Sequence, residues 1–138
     1  METNEWAKLI EVLKKKKLIP LIVFSFSRKK CEDSAFGLST VDLTTSSEKS
    51  KIHVFFENSI SRLSKVDRTL PQVIRMRDLV SRGIGVHHSG LLPIVKEMVE
   101  MLFGRGLLKV LFATGKKIIL LSFFFRNICN GCKYACKM

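Results

Sequence analysis

Ile84-Gly85-Val86-His87-His88-Ser89-Gly90-Leu91-Leu92-Pro93 is the stretch that decides the fold, and Lys109-Val110-Leu111-Phe112-Ala113-Thr114 supports the same interpretation. Residues 84–87 form a short apolar run of strand type, Ser89 and Gly90 favour a turn, and Pro93 suits the first turn of a helix. Residues 107–113 predict a further strand. Because strands that alternate with helices form parallel sheets, these two stretches predict an α/β fold.

The chain before residue 84 continues this alternation. A nearly continuous apolar run at residues 21–27 is rich in β-forming residues and predicts a buried strand. Helices are predicted from apolar spacing and from capping residues at 5–16, 28–38, the stretch after Ser46 or Ser47, 72–82 and the stretch beginning at Pro93. Within the last of these, the side chains expected to face the core are Ile94, Met98, Met101 and Leu102. The predicted sheet is short, with about three strands up to Thr114.

The composition favours one basic domain. A length of 138 residues allows a single domain at most, and 46% hydrophobic residues are enough for a buried core. The formal net charge of +12 suits a polyanionic partner such as nucleic acid, although a solvated surface is the default interpretation of any one basic cluster. We find no signal peptide and no apolar run of the roughly 20 residues that span a bilayer. An intracellular, reducing compartment and no membrane partner are therefore expected.

Three short segments follow the predicted strands and point to one candidate binding edge. They are residues 25–28, residues 87–90 and Thr114. Because groups that meet ligands lie at the carboxyl ends of parallel strands and at helix N-termini, all three should share one edge of the sheet. Backbone N–H groups, hydroxyls and an arginine at such an edge suit the phosphates of a single strand, so the expected activity is holding a nucleic-acid backbone. The predicted contacts are Ser27, Arg28, Ser89, Gly90 and Thr114.

Most of the chain before residue 115 also resembles a known family. Residues 21–32 are similar to its motif IV, and the run Asp42-Leu43-Thr44-Thr45-Ser46-Ser47-Glu48-Lys49-Ser50 closely resembles a stretch of the superkiller helicases. The run Leu70-Pro71-Gln72-Val73 and the segments 83–93 and 99–114 are similar to further family patterns. The chain is thereby identified as a member of the Ski-type DExH-box RNA helicases of superfamily 2. The resemblance implies an incomplete second RecA-like domain, of P-loop-NTPase type, over residues 1–114.

The resemblance carries functional expectations. It implies an ATP-driven 3′-to-5′ RNA unwinding motor of the Ski complex, which is a nucleotide-binding hydrolase that uses ATP and Mg²⁺ and feeds the cytoplasmic exosome in mRNA decay. The implied partners are RNA, other Ski complex subunits and the exosome, and the implied location is the cytoplasm. By position, the family's RNA-backbone contacts correspond to Ser27, Arg28, the Ser89-Gly90 turn and Thr114.

The departures from the family pattern bear on catalysis. After Thr114 the family continues with Glu-Thr-Phe-Ala-Met-Gly, whereas this chain has Gly115-Lys116-Lys117. The family's later arginine element, which stabilises charge on the transferred phosphoryl group, has no counterpart here, nor has the phosphate-binding loop or the acidic metal-binding motif. We therefore predict no catalytic residues and no ATP hydrolysis by this chain alone. The alternative is a non-catalytic interaction protein that competes for the parent helicase's partners or RNA.

Two groups of residues have metal-like chemistry. His87 and His88 end a strand without an acidic or cysteine partner nearby in sequence, which favours a structural role. Cys129, Cys132 and Cys136 have ligand-like spacing but lack a fourth ligand, so no metal site is predicted. The weaker alternative gives this segment an activity of its own, at a membrane surface or through zinc. The run at residues 123–125 consists of phenylalanines that either cover the incomplete sheet or stay exposed.

The loss of resemblance at Gly115 suggests how residues 115–138, a basic Phe- and Cys-rich tail, arose. Gly-Lys can be encoded by GGTAAG, which contains a splice-donor sequence, and translation into a retained intron would give such an unrelated tail. This hypothesis predicts a donor site at the codons for Gly115 and Lys116 in the genomic sequence. A genomic sequence without that site would refute it.

Overall fold

The computed structural model describes residues 3–115 and 134–137, and within them it shows an α/β arrangement. Its helices and strands are, in chain order, α1 (Thr3–Lys15), β1 (Leu21–Ser25), α2 (Arg28–Phe36), α3 (Ser46–Ile60), α4 (Pro71–Ser81), β2 (Ile84–His87), α5 (Pro93–Gly104), β3 (Val110–Thr114) and β4 (Tyr134–Lys137), with a 3₁₀ turn at Asp67–Thr69 before α4. The predicted fold class, an incomplete RecA-like domain with a short parallel sheet flanked by helices, is confirmed.

All pairings in the sheet are parallel, and the strand order is β2-β3-β1-β4. The three strands up to Thr114 are those expected. The fourth, β4, comes from the tail and pairs with β1, with Leu21 opposite Tyr134. The tail, whose sequence was expected to be unrelated to the family, contributes residues 134–137 to the sheet at the β1 edge. The phenylalanines at 123–125 lie outside the described residues.

The core is built around β3, the strand between β1 and β2. Every residue of β2 is buried, and Val110 to Ala113 of β3 are buried as well. Trp6 of α1 lies edge-on against Phe112 of β3, with ring centroids 5.6 Å apart. A strand that is apolar on both faces needs cover on both faces, and the flanking helices provide it.

The ends of the elements follow local rules. Ser27 caps α2 by accepting a hydrogen bond from the backbone N–H of Lys30, as predicted. The N-cap of α3 is Thr45, whose side chain forms a capping box with Glu48. Pro71 and Pro93 begin their helices, where a missing N–H costs nothing. Gly83, before β2, has a φ of 80°, a conformation that other residues rarely adopt.

Three expectations about individual residues were wrong. Strand β3 begins at Val110, not at residue 107, because the N–H groups of Leu107 and Leu108 bond the carbonyl of Leu102 at the end of α5. Phe26 was expected inside a buried strand but is 96% exposed, since β1 ends at Ser25. Met101 was expected on the core-facing side of α5 but is half exposed.

No helix among the described residues is long and apolar enough to cross a membrane.

A pH-dependent contribution to stability is expected from Glu48. Its carboxylate accepts the backbone N–H of Thr45 at 3.1 Å and lies 2.8 Å from the ammonium group of Lys109, just before β3. The hydrogen bond from Lys109 is the main cause that lowers the pKa of Glu48. A lowered folded-state pKa means that the ion pair stabilises the fold above the unfolded-state pKa and ceases to do so as the pH falls through the folded-state pKa.

Glu48→Gln should lower the free energy of unfolding by about 0.5–1 kcal/mol at pH 7, because it removes the charge while leaving an acceptor for Thr45. Urea unfolding followed by circular dichroism at pH 7 and at the lowest pH that keeps the wild type folded measures this difference. Glu11→Gln is the control, since the Glu11–Lys15 pair is exposed. A loss at low pH as large as at pH 7 would contradict the assignment.

Candidate nucleic-acid interface at the carboxyl edge of the sheet

The parallel sheet brings the predicted segments to one edge. Ser25 is paired with Thr114 in the register of β1 and β3, and His87 is paired with Ala113 in the register of β2 and β3. Neighbouring strands lie about 4.8 Å apart, so the points at which the chain exits β1, β3 and β2 lie side by side. The segments that follow these strands therefore lie at the same edge of the sheet. We call the surface formed by residues 25–28, residues 87–90 and Thr114 the carboxyl edge.

Arg28 and Ser89 join across this edge. The guanidinium Nη2 of Arg28 donates a hydrogen bond of 2.5 Å to the hydroxyl of Ser89, and both residues are exposed. Arg28 begins the helix after β1, whereas Ser89 follows β2, and β3 lies between those two strands. The hydrogen bond thus connects the first residue of α2 with the turn after β2, although β1 and β2 are not adjacent in the sheet.

Gly90 leaves the space that this contact needs. A Cβ atom at residue 90 would lie 3.1 Å from the Nδ1 and Cε1 atoms of His88 and 3.4 Å from Nη1 of Arg28. The backbone N–H of Gly90 donates to Nδ1 of His88 at 3.0 Å. This N–H was predicted among the groups that meet phosphate, but in this conformation it is used inside the turn. Gly90 contributes room at the edge.

Ser27 and the start of α2 contribute further polar groups. The hydroxyl oxygen of Ser27 accepts from the Lys30 backbone, which leaves the hydroxyl hydrogen free to donate outwards. The first three residues of α2, Arg28, Lys29 and Lys30, are all exposed. Cations at a helix N-terminus interact unfavourably with the helix dipole, so this cluster does not stabilise α2. The positive charge is directed to solvent beside Ser27.

Both strand-end histidines have carboxylate partners that the sequence did not predict. Nε2 of His88 lies 2.6 Å from Glu32 of α2, and Nε2 of His87 lies 2.7 Å from Glu100 of α5. Both partners are distant in sequence, 13 and 56 residues away, and the contacts agree with the structural role expected for the two histidines. A sequence signal existed for Glu32, because it stands four residues after Arg28 and so shares a helix face with it.

His88 is held on two sides. Its Nδ1 accepts from the Gly90 N–H, so Nε2 carries the hydrogen that is donated to Glu32. The side chain is only 5% exposed. His88 therefore ties helix α2 to the Ser89-Gly90 turn, beneath the contact between Arg28 and Ser89.

The described residues do not suit a divalent metal or a reactive thiol. No group of three or more His, Cys, Asp and Glu side chains that could hold a metal ion occurs within residues 3–115 and 134–137. Burial is the largest cause that raises the pKa of the Cys31 thiol to about 11, so this residue stays protonated near neutral pH. Cys129 and Cys132 lie outside the described residues, and of Cys136 only the backbone, in β4, is described.

Comparison with known proteins shows close relatives. No family model matches the chain. It is 56% identical over 109 residues to the human superkiller complex protein 2, and the aligned region covers 79% of this chain and 9% of the relative. It is 52% identical over 109 residues to the antiviral helicase SKI2 of Saccharomyces cerevisiae, covering 79% of this chain and 8% of the relative. With the ATP-dependent RNA helicase mtr4 of Schizosaccharomyces pombe it shares 48% identity over 107 residues, 78% of this chain and 10% of the relative. The chain thus spans about a tenth of the length of these relatives.

Replacing His88 should loosen the carboxyl edge. His88→Ala removes the acceptor for Gly90 and the partner of Glu32, and we expect the free energy of unfolding to fall by about 1–3 kcal/mol. Urea unfolding monitored by circular dichroism measures the change. His53→Ala is the matched control, because His53 is exposed on α3 and should change stability by less than about 0.5 kcal/mol. Equal effects of the two substitutions would contradict the role assigned to His88.

Proposed function

The chain corresponds to a segment of the Ski-type DExH-box RNA helicases, and from this premise we propose that its carboxyl edge holds the sugar-phosphate backbone of single-stranded RNA. The proposed contact set is Ser27, Arg28, Ser89, Gly90 and Thr114, in which Gly90 contributes room at the edge and not its N–H group. In this proposal the chain is part of a second RecA-like domain and does not hydrolyse ATP by itself.

The observation that carries the proposal is the contact between Arg28 and Ser89. Arg28 uses one N–H for Ser89 and retains further donors in its exposed guanidinium group. Because Ser89 holds the guanidinium in place, less side-chain freedom would be lost when a phosphate binds. Arginine suits phosphate oxygens in particular, since its paired N–H groups match their geometry.

The surrounding groups support contact with a backbone. The hydroxyls of Ser27, Ser89 and Thr114 are donors at the ends of β1, β2 and β3, and Lys29 and Lys30 add exposed positive charge. Hydroxyls and cations of this kind bind phosphate and sugar oxygens and carry no sequence information. We therefore expect RNA binding that depends on salt and tolerates different base sequences.

We propose that this chain does not use ATP and Mg²⁺ by itself, because its sequence has no counterpart of the family's phosphate-binding loop or acidic metal-binding motif. The carboxylates of Glu32 and Glu100 lie against histidines, and those of Asp42 and Glu48 against lysines. We therefore expect no phosphate release from ATP by this chain. For the whole protein, the relatives' names support an ATP-dependent RNA helicase. We propose that it uses ATP and Mg²⁺ and has a cytoplasmic role in a superkiller complex that works with the exosome.

Arg28→Ala and Thr114→Ala should weaken RNA binding. The test is fluorescence anisotropy of the purified chain with a labelled, unstructured oligoribonucleotide over a salt series. Arg28→Ala should raise the Kd about tenfold, as expected for one charge-assisted contact, and should reduce the salt slope by about 0.7. Thr114→Ala should have a smaller effect in the same direction, without a change in slope.

Lys51→Ala is the matched control for charge. Lys51 is an exposed residue of α3 and lines a groove with Leu107 and Arg105, which precede β3 and thus lie towards the opposite ends of the strands. This substitution should leave the Kd nearly unchanged. If Lys51→Ala weakens binding as much as Arg28→Ala, attraction by overall charge explains the binding and the carboxyl edge does not.

A further inference from the structure

Phe26 is the most exposed large hydrophobic side chain that the structure describes. It is 96% exposed, whereas the next, Val66, is 74% exposed. Two phenylalanines that are exposed in part, Phe36 and Phe55, have arginines over their rings. Because the ring remains in water, the fold gains no burial free energy from it.

The backbone on both sides of Phe26 is held in place. Ser25 is buried in β1 and its hydroxyl accepts the backbone N–H of Ser27 at 3.2 Å. Ser27 is in turn the N-cap of α2. Phe26 therefore projects from a short connection whose two ends belong to the sheet and to a helix. A phenylalanine has only two side-chain torsions, so little freedom is lost when its ring meets a partner.

The neighbours of Phe26 indicate what that partner is. Two residues further along the chain stands Arg28, which contacts Ser89 at the carboxyl edge, and Lys29 and Lys30 follow, also exposed. A protein-docking site would place the aromatic ring in a desolvated, mainly apolar surface. Here Phe26 stands in the chain between two serines and two residues before the exposed cations Arg28, Lys29 and Lys30. An aromatic ring beside groups that hold phosphates is the arrangement by which single-stranded nucleic acids are bound.

We propose that Phe26 is a stacking platform for an unpaired base of the RNA. This inference rests on the proposed function, and it adds a base contact to the backbone contacts. With the phosphate held by Arg28, the attached nucleotide can place its base on the ring of Phe26. Every base has a π face, so this contact strengthens binding without selecting a sequence.

The test separates stacking from backbone contact. Binding of the full chain to an unstructured oligoribonucleotide is compared with binding to an oligomer of equal length whose central nucleotides lack bases. Phe26→Ala should raise the Kd for the ordinary oligomer about tenfold, within the range of one base stacked on an aromatic ring, and should leave the Kd for the base-less oligomer unchanged. A 2-aminopurine in the ordinary oligomer should be quenched on binding to the wild type and less so with Phe26→Ala.

Three further variants complete the design. Phe26→Trp should retain both binding and quenching, whereas Phe26→Leu, which is apolar but not aromatic, should behave like Phe26→Ala. Met101→Ala is the control for loss of an exposed apolar side chain, because Met101 is 50% exposed on α5. Circular dichroism checks that each variant keeps its fold, which the high exposure of Phe26 leads us to expect.

The outcomes distinguish the two proposals. If Phe26→Ala has no effect while Arg28→Ala weakens binding, the stacking platform is wrong and the carboxyl edge stands. If Phe26→Ala weakens binding to both oligomers equally, or Phe26→Leu binds as well as the wild type, base stacking is also refuted. If the wild type binds neither oligomer, both proposals fail.

Discussion

The rest of the structure depends on the parallel pairing of β3 with two strands at once. β3 is paired with β1 on one side and β2 on the other, and Val110 to Ala113 are buried. A strand in this position forms backbone hydrogen bonds on both sides and buries side chains on both faces. Its register therefore cannot shift without disturbing both neighbouring strands. The register that pairs Ser25 with Thr114 also aligns the three carboxyl ends from which the candidate interface is built.

Polar contacts within the fold hold the segments of the candidate interface in place. His88 accepts the N–H of Gly90 and donates to Glu32, so the turn after β2 is tied to the helix after β1. The contact from Arg28 to Ser89 joins the same two segments closer to solvent. Helix α2 and the turn after β2 are thus connected twice, by a partly buried contact and by an exposed one. Because the partly buried contact holds the turn against α2, the exposed groups are positioned before any ligand binds, which lowers the entropy lost on binding.

Charge and apolar exposure coincide at this edge. Arg28, Lys29 and Lys30 stand at a helix N-terminus, where positive charge is unfavourable for the helix, and Phe26 stands next to them in water. Each feature costs stability and neither is explained by packing. Features that oppose local stability and gather at one place are typical of binding surfaces. The same edge therefore suits both parts of a nucleotide, the phosphate and the base.

The sequence by itself determined the order of strands and helices, the N-cap at Ser27 and the start of α5 at Pro93. It also determined which segments end up at the carboxyl edge, because all these features depend on residues close together in the chain. It did not predict that Phe26 is exposed, since an apolar run does not show where its strand ends. Only the tertiary structure decided that Arg28 meets Ser89, 61 residues away, and that Glu32 meets His88, 56 residues away. Such pairs depend on the strand order β2-β3-β1, and strand order is set by packing through space, which local periodicity does not encode.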